Sequence, residues 1–179
     1  LPDCFTSIAS SMFAGCTSLT SVNIPAKATS IGNKAFLNCE SLKEVVLPET
    51  IDTINAYAFS GSGITSINIP AKVQVLGTSK TSAYTSSKAY TFAECKDLTK
   101  VTTYSNLPVG CFRDCTSLTD IKFSANLTAI GPRVFQGCTA LTEVTLPAKL
   151  TSIGANVTSS TRVTAVSGYD KEYETYGYT

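Results

Sequence analysis

One pattern of apolar positions runs through almost the whole chain. It reads Ile8, Met12-Phe13, Cys16, Leu19, Val22, Ile24-Pro25, and it recurs 23 residues on as Ile31, Ala35-Phe36, Cys39, Leu42, Val45, Leu47-Pro48. It returns again as Ile54, Ala58-Phe59, Ser62, Ile64, Ile67, Ile69-Pro70. Aligned on the Phe, Cys and Leu columns, the repeats fall at about residues 8–30, 31–53, 54–75, 87–106, 107–129 and 130–152, with a fading copy from Ile153. A single apolar template at fixed spacing predicts a solenoid, in which each unit buries its hydrophobic face only against its neighbours. The first seven residues match Leu146 to Ser152, so the chain starts inside a repeat and reads as part of a longer protein.

Each repeat has two halves. Leu19-x-x-Val22-x-Ile24 alternates with period two, which predicts a short strand with Val22 and Ile24 on one face. Pro25, Pro48, Pro70 and Pro147 end the strand, because proline has no N–H for a ladder. Asn33 to Cys39 suits one or two turns of α- or 3-10-helix, too short to be stable alone. Gly15, Asn38, Gly61 and Gly137 beside the Cys column fit the end of such a turn. Stacking then gives a parallel sheet of about six short strands, at roughly 4.8 Å per repeat. Phe13, Phe36, Phe59, Phe92, Phe112 and Phe135 are expected to stack inside.

The string Ile31-Gly32-x-x-Ala35-Phe36-x-x-Cys39-x-x-Leu42-x-x-Val45-x-Leu47-Pro48 resembles the BspA-like, or treponemal-type, leucine-rich repeat. The resemblance covers about residues 1–168. It implies an α/β fold: a right-handed leucine-rich-repeat solenoid with a parallel β-sheet on one face and short helical or 3-10 turns on the other. It implies a location outside the cell or on its surface, and a role in adhesion or protein binding. It carries no catalytic motif. This sequence departs from the family pattern at an insertion near 77–86, at Tyr104 where proline is expected, and in a Tyr-rich segment, 169–179. Residues 153–168 read as a capping repeat whose last strand lies near Val163 to Val166, and 169–179 as a cap over the end of the core or as a tail in which Tyr173, Tyr176 and Tyr178 form a partner-binding patch.

Composition narrows the chemistry. At 179 residues the chain is long enough for one domain with a sizeable core. Charged residues make up 15% and balance to +1, so neither a basic stripe for nucleic acid nor an acidic tract is present. No apolar run reaches the roughly 18 residues of a membrane-spanning helix, and no signal peptide is visible in this chain. The chain has no histidine, which removes Ser-His-Asp and Cys-His catalysis and the usual zinc enzymes. Cys111 and Cys115 stand four apart without a second pair to complete a zinc site. Glu44, Asp120 and Glu143 recur at one repeat position on an open face, without the cleft that a hydrolytic carboxylate pair needs. The expectation is a non-enzyme without metal or cofactor.

Cys16, Cys39, Cys95, Cys115 and Cys138 share one column with Ser62 and Thr161. That exchange marks a slot for a small side chain and predicts a ladder of buried, reduced thiols. Cys4 shares a column with Lys27, Thr50 and Lys149 and is expected to be exposed. Asn126-Leu127-Thr128 and Asn156-Val157-Thr158 are sequons of a kind that chance produces in a chain this rich in Ser and Thr.

What remains is surface. The outward strand positions form two rows: Ser21, Glu44, Ser66, Lys100, Asp120 and Glu143, then Asn23, Val46, Asn68, Thr102, Lys122 and Thr145. Both rows are small and mixed, without Tyr, Trp or Arg anchors, so they fit broad or multivalent contact better than one tight site. The insertion Thr78 to Ser86, with Tyr84 and the nearby Tyr90, is a second candidate surface. The function expected is a binding module with a protein ligand, a host or matrix protein, and a glycan as the second ligand class. The competing reading is a structural spacer that displays other parts of a larger surface protein.

Overall fold

The structure is a computed structural model that describes residues 1–77 and 89–158 and, for the backbone alone, 162–165. The cap or tail expected at 169–179, Tyr84 and most of the insertion lie outside the described residues. Among the described residues there are eleven short strands, numbered in chain order, and no helix. One column holds β1 (Ser7–Ile8), β2 (Ser30–Ile31), β3 (Thr53–Asn55), β5 (Val75–Gly77), β8 (Ala129–Ile130) and β10 (Ser152–Ile153). The other holds β4 (Ser66–Ile69), β6 (Lys100–Thr103), β7 (Asp120–Phe123), β9 (Glu143–Leu146) and β11 (Arg162–Ala165). Every pairing is parallel and joins equivalent template positions, such as Ile8↔Ile31, Ile31↔Ile54 and Val101↔Ile121. The strand expected near Val163 to Val166 is β11, paired parallel with β9.

In place of the single sheet expected from the Leu-x-x-Val-x-Ile half there are two strand columns, divided among four narrow sheets, because the Ile8 column also pairs along the stack. Its strands are two or three residues long because the chain turns at once. At Gly32 an added Cβ would lie 2.5 Å from the backbone of Ser10, one coil earlier. Only glycine lets successive coils approach that closely.

The helical half is also different from the expectation. Each Phe is flanked, two residues before and two after, by a residue with positive φ: Ser11 and Gly15 around Phe13, Lys34 and Asn38 around Phe36, Tyr57 and Gly61 around Phe59. A left-handed residue at every fourth position interrupts a right-handed helix. The N–H groups are divided accordingly. Those of Met12, Ala14 and Cys16 bond back to Ala9, Ser11 and Phe13 within the coil. Those of Ser11, Phe13 and Gly15 bond to the carbonyls of Asn33, Ala35 and Leu37 in the next coil, at 2.8, 2.8 and 2.7 Å. A helix would spend all of them internally and leave the coils unjoined.

The core follows from this stacking. Consecutive Phe rings from Phe13 to Phe112 lie 5.1–5.4 Å apart and nearly parallel, and Phe112 to Phe135 is 6.1 Å. Phe36, Phe59, Phe92, Phe112 and Phe135 are fully buried, whereas Phe13 on the first coil is half-buried. Truncating a ring stacked on both faces removes two contacts. Phe59→Ala is expected to cost about 3–5 kcal/mol. Phe13→Ala should cost clearly less. Urea unfolding of both variants checks this, and equal costs would count against a continuous ring stack.

Candidate functional site

The second strand column assembles the surface rows in register. Ser66, Lys100 and Asp120 are paired neighbours, as are Asn68, Thr102 and Lys122. Ser21 and Glu44 meet in a parallel bridge. Glu143 and Thr145 lie on β9. Asn23 and Val46 lie outside the strands, both exposed. Val46 is 81% exposed, an isolated apolar side chain among polar ones. Lys100 Nζ lies 3.9 Å from Asp120 Oδ2, a solvated pair worth well under about 1 kcal/mol. The face is a flat field of small polar and singly charged side chains.

The thiol ladder is mostly as expected, with one correction. Cys39, Cys95, Cys115 and Cys138 are buried and unbridged, and so is Cys111 outside the column. Cys4 and Cys16 are exposed. Cys16 was expected to be buried and is exposed, on the first complete coil of the described residues. The buried thiols are more than small hydrophobes. The four in the column each donate to the carbonyl of the Phe one coil before: Cys39 to Phe13, Cys95 to Phe59, Cys115 to Phe92 and Cys138 to Phe112, at 3.0–3.1 Å. Ser62, the hydroxyl of the column, is buried and meets Cys95 Sγ at 3.5 Å instead. Burial pushes the Cys39 thiol up to about 11 and Cys138 up to about 12. It holds Cys111 and Cys115 well above their ordinary value too. Cys39, Cys115 and Cys138 are therefore neutral donors and not nucleophiles. At Cys95 burial raises the thiol, but hydrogen bonds with Cys115 and Ser62 outweigh it and bring it below its ordinary value.

Tyr90 does not join the strand rows. It lies on the turn side of the coils, edge-on to Tyr57 with ring centroids 5.6 Å apart. Lys34 Nζ lies 5.9 Å from the centre of the Tyr57 ring, and the Arg113 guanidinium 5.8 Å from that of Tyr90. One strip therefore alternates cation, ring, ring and cation across four coils. Gly110 makes room for it, since a Cβ there would sit 2.1 Å from Tyr90 Cε1. Hydrogen bonding with Tyr90, and then the charge of Asp114, push Arg113 above its ordinary value. Arg113 Nε lies 3.0 Å from Asp114 Oδ2 without aiming its N–H at that oxygen, so the contact is ionic and the buried N–H keeps no acceptor. The sequence named Tyr90 but not its neighbours. The signal was present: Lys34, Tyr57 and Tyr90 all stand two residues before a Phe.

Solenoid coils, the Phe and thiol columns and a parallel register agree with one family. Residues 1–82 and 81–174 match the BspA type leucine rich repeat region, in six copies. The chain belongs to the BspA-type leucine-rich repeat family. Repeats of this family are generally non-catalytic scaffolds for protein–protein contact. No curated protein matches the chain. Among solved structures it is similar to a leucine-rich repeat protein from Bacteroides ovatus, with 22% identity and a TM-score of 0.59, over 99% of this chain and 52% of that one. It is similar to the T. pallidum leucine rich repeat protein, with 24% identity and a TM-score of 0.53, over 76% of this chain and 71% of that one. It also resembles the pneumococcal vaccine antigen PcpA, with 19% identity and a TM-score of 0.56, over 84% of this chain and 40% of that one. These likenesses are of fold, and the chain spans about half the length of the Bacteroides ovatus protein.

Two outcomes follow for the BspA-type thiols. Alkylation of the native protein should modify Cys4 and Cys16 quickly, and Cys39, Cys95, Cys111, Cys115 and Cys138 only after unfolding, as read by peptide mass. Fast labelling of the five would contradict the ladder. The pH dependence has a definite sign. A group whose folded pKa is raised gives stability that is intact below its unfolded pKa and lost as pH rises through the folded one. With Cys39 and Cys138 moved from 9.0 to about 11 and 12, melting temperature should hold up to about pH 8 and fall between pH 9 and 12. A flat melting temperature over that range would count against it.

Proposed function

We propose that this chain is a non-catalytic binding module, presented outside the cell or on its surface, that recognises a host or matrix protein and so serves adhesion. The observation that carries the reading is the register of the polar rows on the second strand column. Exposed side chains at a fixed coil spacing offer a broad, repeated contact surface, and per-coil contacts add through multivalency. Membership of the BspA-type family supports protein recognition as the general task. The fold likeness to PcpA, described as a vaccine antigen, supports a surface location by analogy. Among the described residues no helix is long and apolar enough to cross a membrane, so this segment is not read as a membrane-spanning helix.

The test is binding of the intact chain to immobilised extracellular-matrix proteins, compared with a variant in which Glu44, Lys100, Lys122 and Glu143 are all replaced by Ser. Saturable binding that weakens at least about tenfold in the variant, with an unchanged melting temperature, is the expected result. Failure to bind any matrix protein would favour the spacer reading instead.

A further inference from the structure

The polar rows lack the Tyr and Arg anchors that dominate measured interface energies, and the turn side has them. Tyr57 and Tyr90 adopt φ of 57° and 37°. A non-glycine residue in the left-handed region costs about 1–2 kcal/mol, and bulky residues are its rarest occupants. Ser11, Lys34, Gly110, Arg133 and Asn156 hold the same slot at positive φ in other coils, so the fold imposes the conformation, and Tyr57 and Tyr90 are its bulkiest occupants.

The ligand class follows from what the strip leaves open. Lys34 and Arg113 each lie over one face of a ring, so a sugar stacking on that face of Tyr57 or Tyr90 would have to displace a cation. The Arg113 side chain is 40% exposed while its Nε is buried, so the exposed part is the terminal, forked end, which also hydrogen-bonds with Tyr90. That fork matches a carboxylate bidentately. Lys34 and Arg133, exposed and in the same template slot, add positive charge on either side. The anions of the strip are Asp114, already engaged with Arg113, and Glu94, whose charge Arg113 also feels.

We propose that the strip from Lys34 through Tyr57 and Tyr90 to Arg113 is the anchor for a partner protein, which it recognises through a carboxylate in an extended acidic segment. This rests on the binding-module reading and names the partner's chemistry. Arg113 takes the carboxylate, the Tyr edges and hydroxyls pack along the segment, and Lys34 and Arg133 hold flanking acidic residues.

A fluorescein-labelled oligo-glutamate peptide, followed by anisotropy at low salt, is the probe, with oligo-lysine and a sulfated oligosaccharide as comparators. Saturable oligo-glutamate binding is expected. It should weaken about tenfold or more in Arg113→Gln and in the Tyr57→Ser/Tyr90→Ser double variant. Arg113→Lys, which keeps the charge but not the fork, should fall between. Lys72→Gln removes the same charge from an exposed turn elsewhere and should bind as the parent does. No oligo-glutamate binding, binding indifferent to Arg113, or tighter Arg113-dependent binding of the sulfated sugar would each overturn the proposal. If Arg113→Gln still binds matrix protein while the four-Ser variant does not, the module reading stands and the strip fails. If oligo-glutamate binding needs Arg113 but no matrix protein binds, the strip stands and the adhesion reading fails.

Discussion

The hydrogen bonds between coils set everything else in this structure. At each turn, alternate N–H groups leave their own coil and bond to the next, from Ser11, Phe13 and Gly15 through to Arg133 and Phe135. This fixes the rise per coil close to the thickness of an aromatic ring and its contacts. The Phe stack at 5.1–5.4 Å over the first five rings is the result. The thiol ladder depends on the same spacing, since Cys39, Cys95, Cys115 and Cys138 each meet the carbonyl of the preceding coil's Phe. A backbone that met its hydrogen bonds within each coil would have no reason to stack in register.

This arrangement requires two left-handed residues per turn, and that requirement shapes the surface. Gly, Asn and Asp meet it most easily, as at Gly15, Asn38, Gly61, Asp114 and Gly137. Where Tyr57 and Tyr90 meet it instead, their rings emerge side by side on the turn side, with Lys34 and Arg113 drawn over them. The strand side follows the opposite logic. Its residues need only a pleated backbone, so any small polar side chain serves, and the rows through Ser66, Lys100 and Asp120 stay chemically mixed. The two sides thus offer different contacts: a broad repeated field, and a compact strip with anchoring side chains.

The sequence by itself determined the repeat, the Phe column and the register of the polar rows. Burial at a fixed interval leaves a pattern that periodicity reads directly, and stacking equivalent positions follows from it. It also marked the Cys column as a slot for small side chains, through the exchange with Ser62. Tertiary structure alone decided three things. Whether the segment around Phe36 is helical depends on where its N–H groups find acceptors, and those acceptors lie one coil away, on Ala56, Ala58 and Ser60. Whether a column Cys is buried depends on the coils packed against it: Cys39 is buried with its thiol on the Phe13 carbonyl of the coil before, and Cys16 is exposed. The Tyr57–Tyr90–Arg113 strip joins residues from three coils, with Gly110 making the space. Spacing along one chain records what repeats, but contacts between coils are made by side chains that differ from coil to coil, and these only the folded stack brings together.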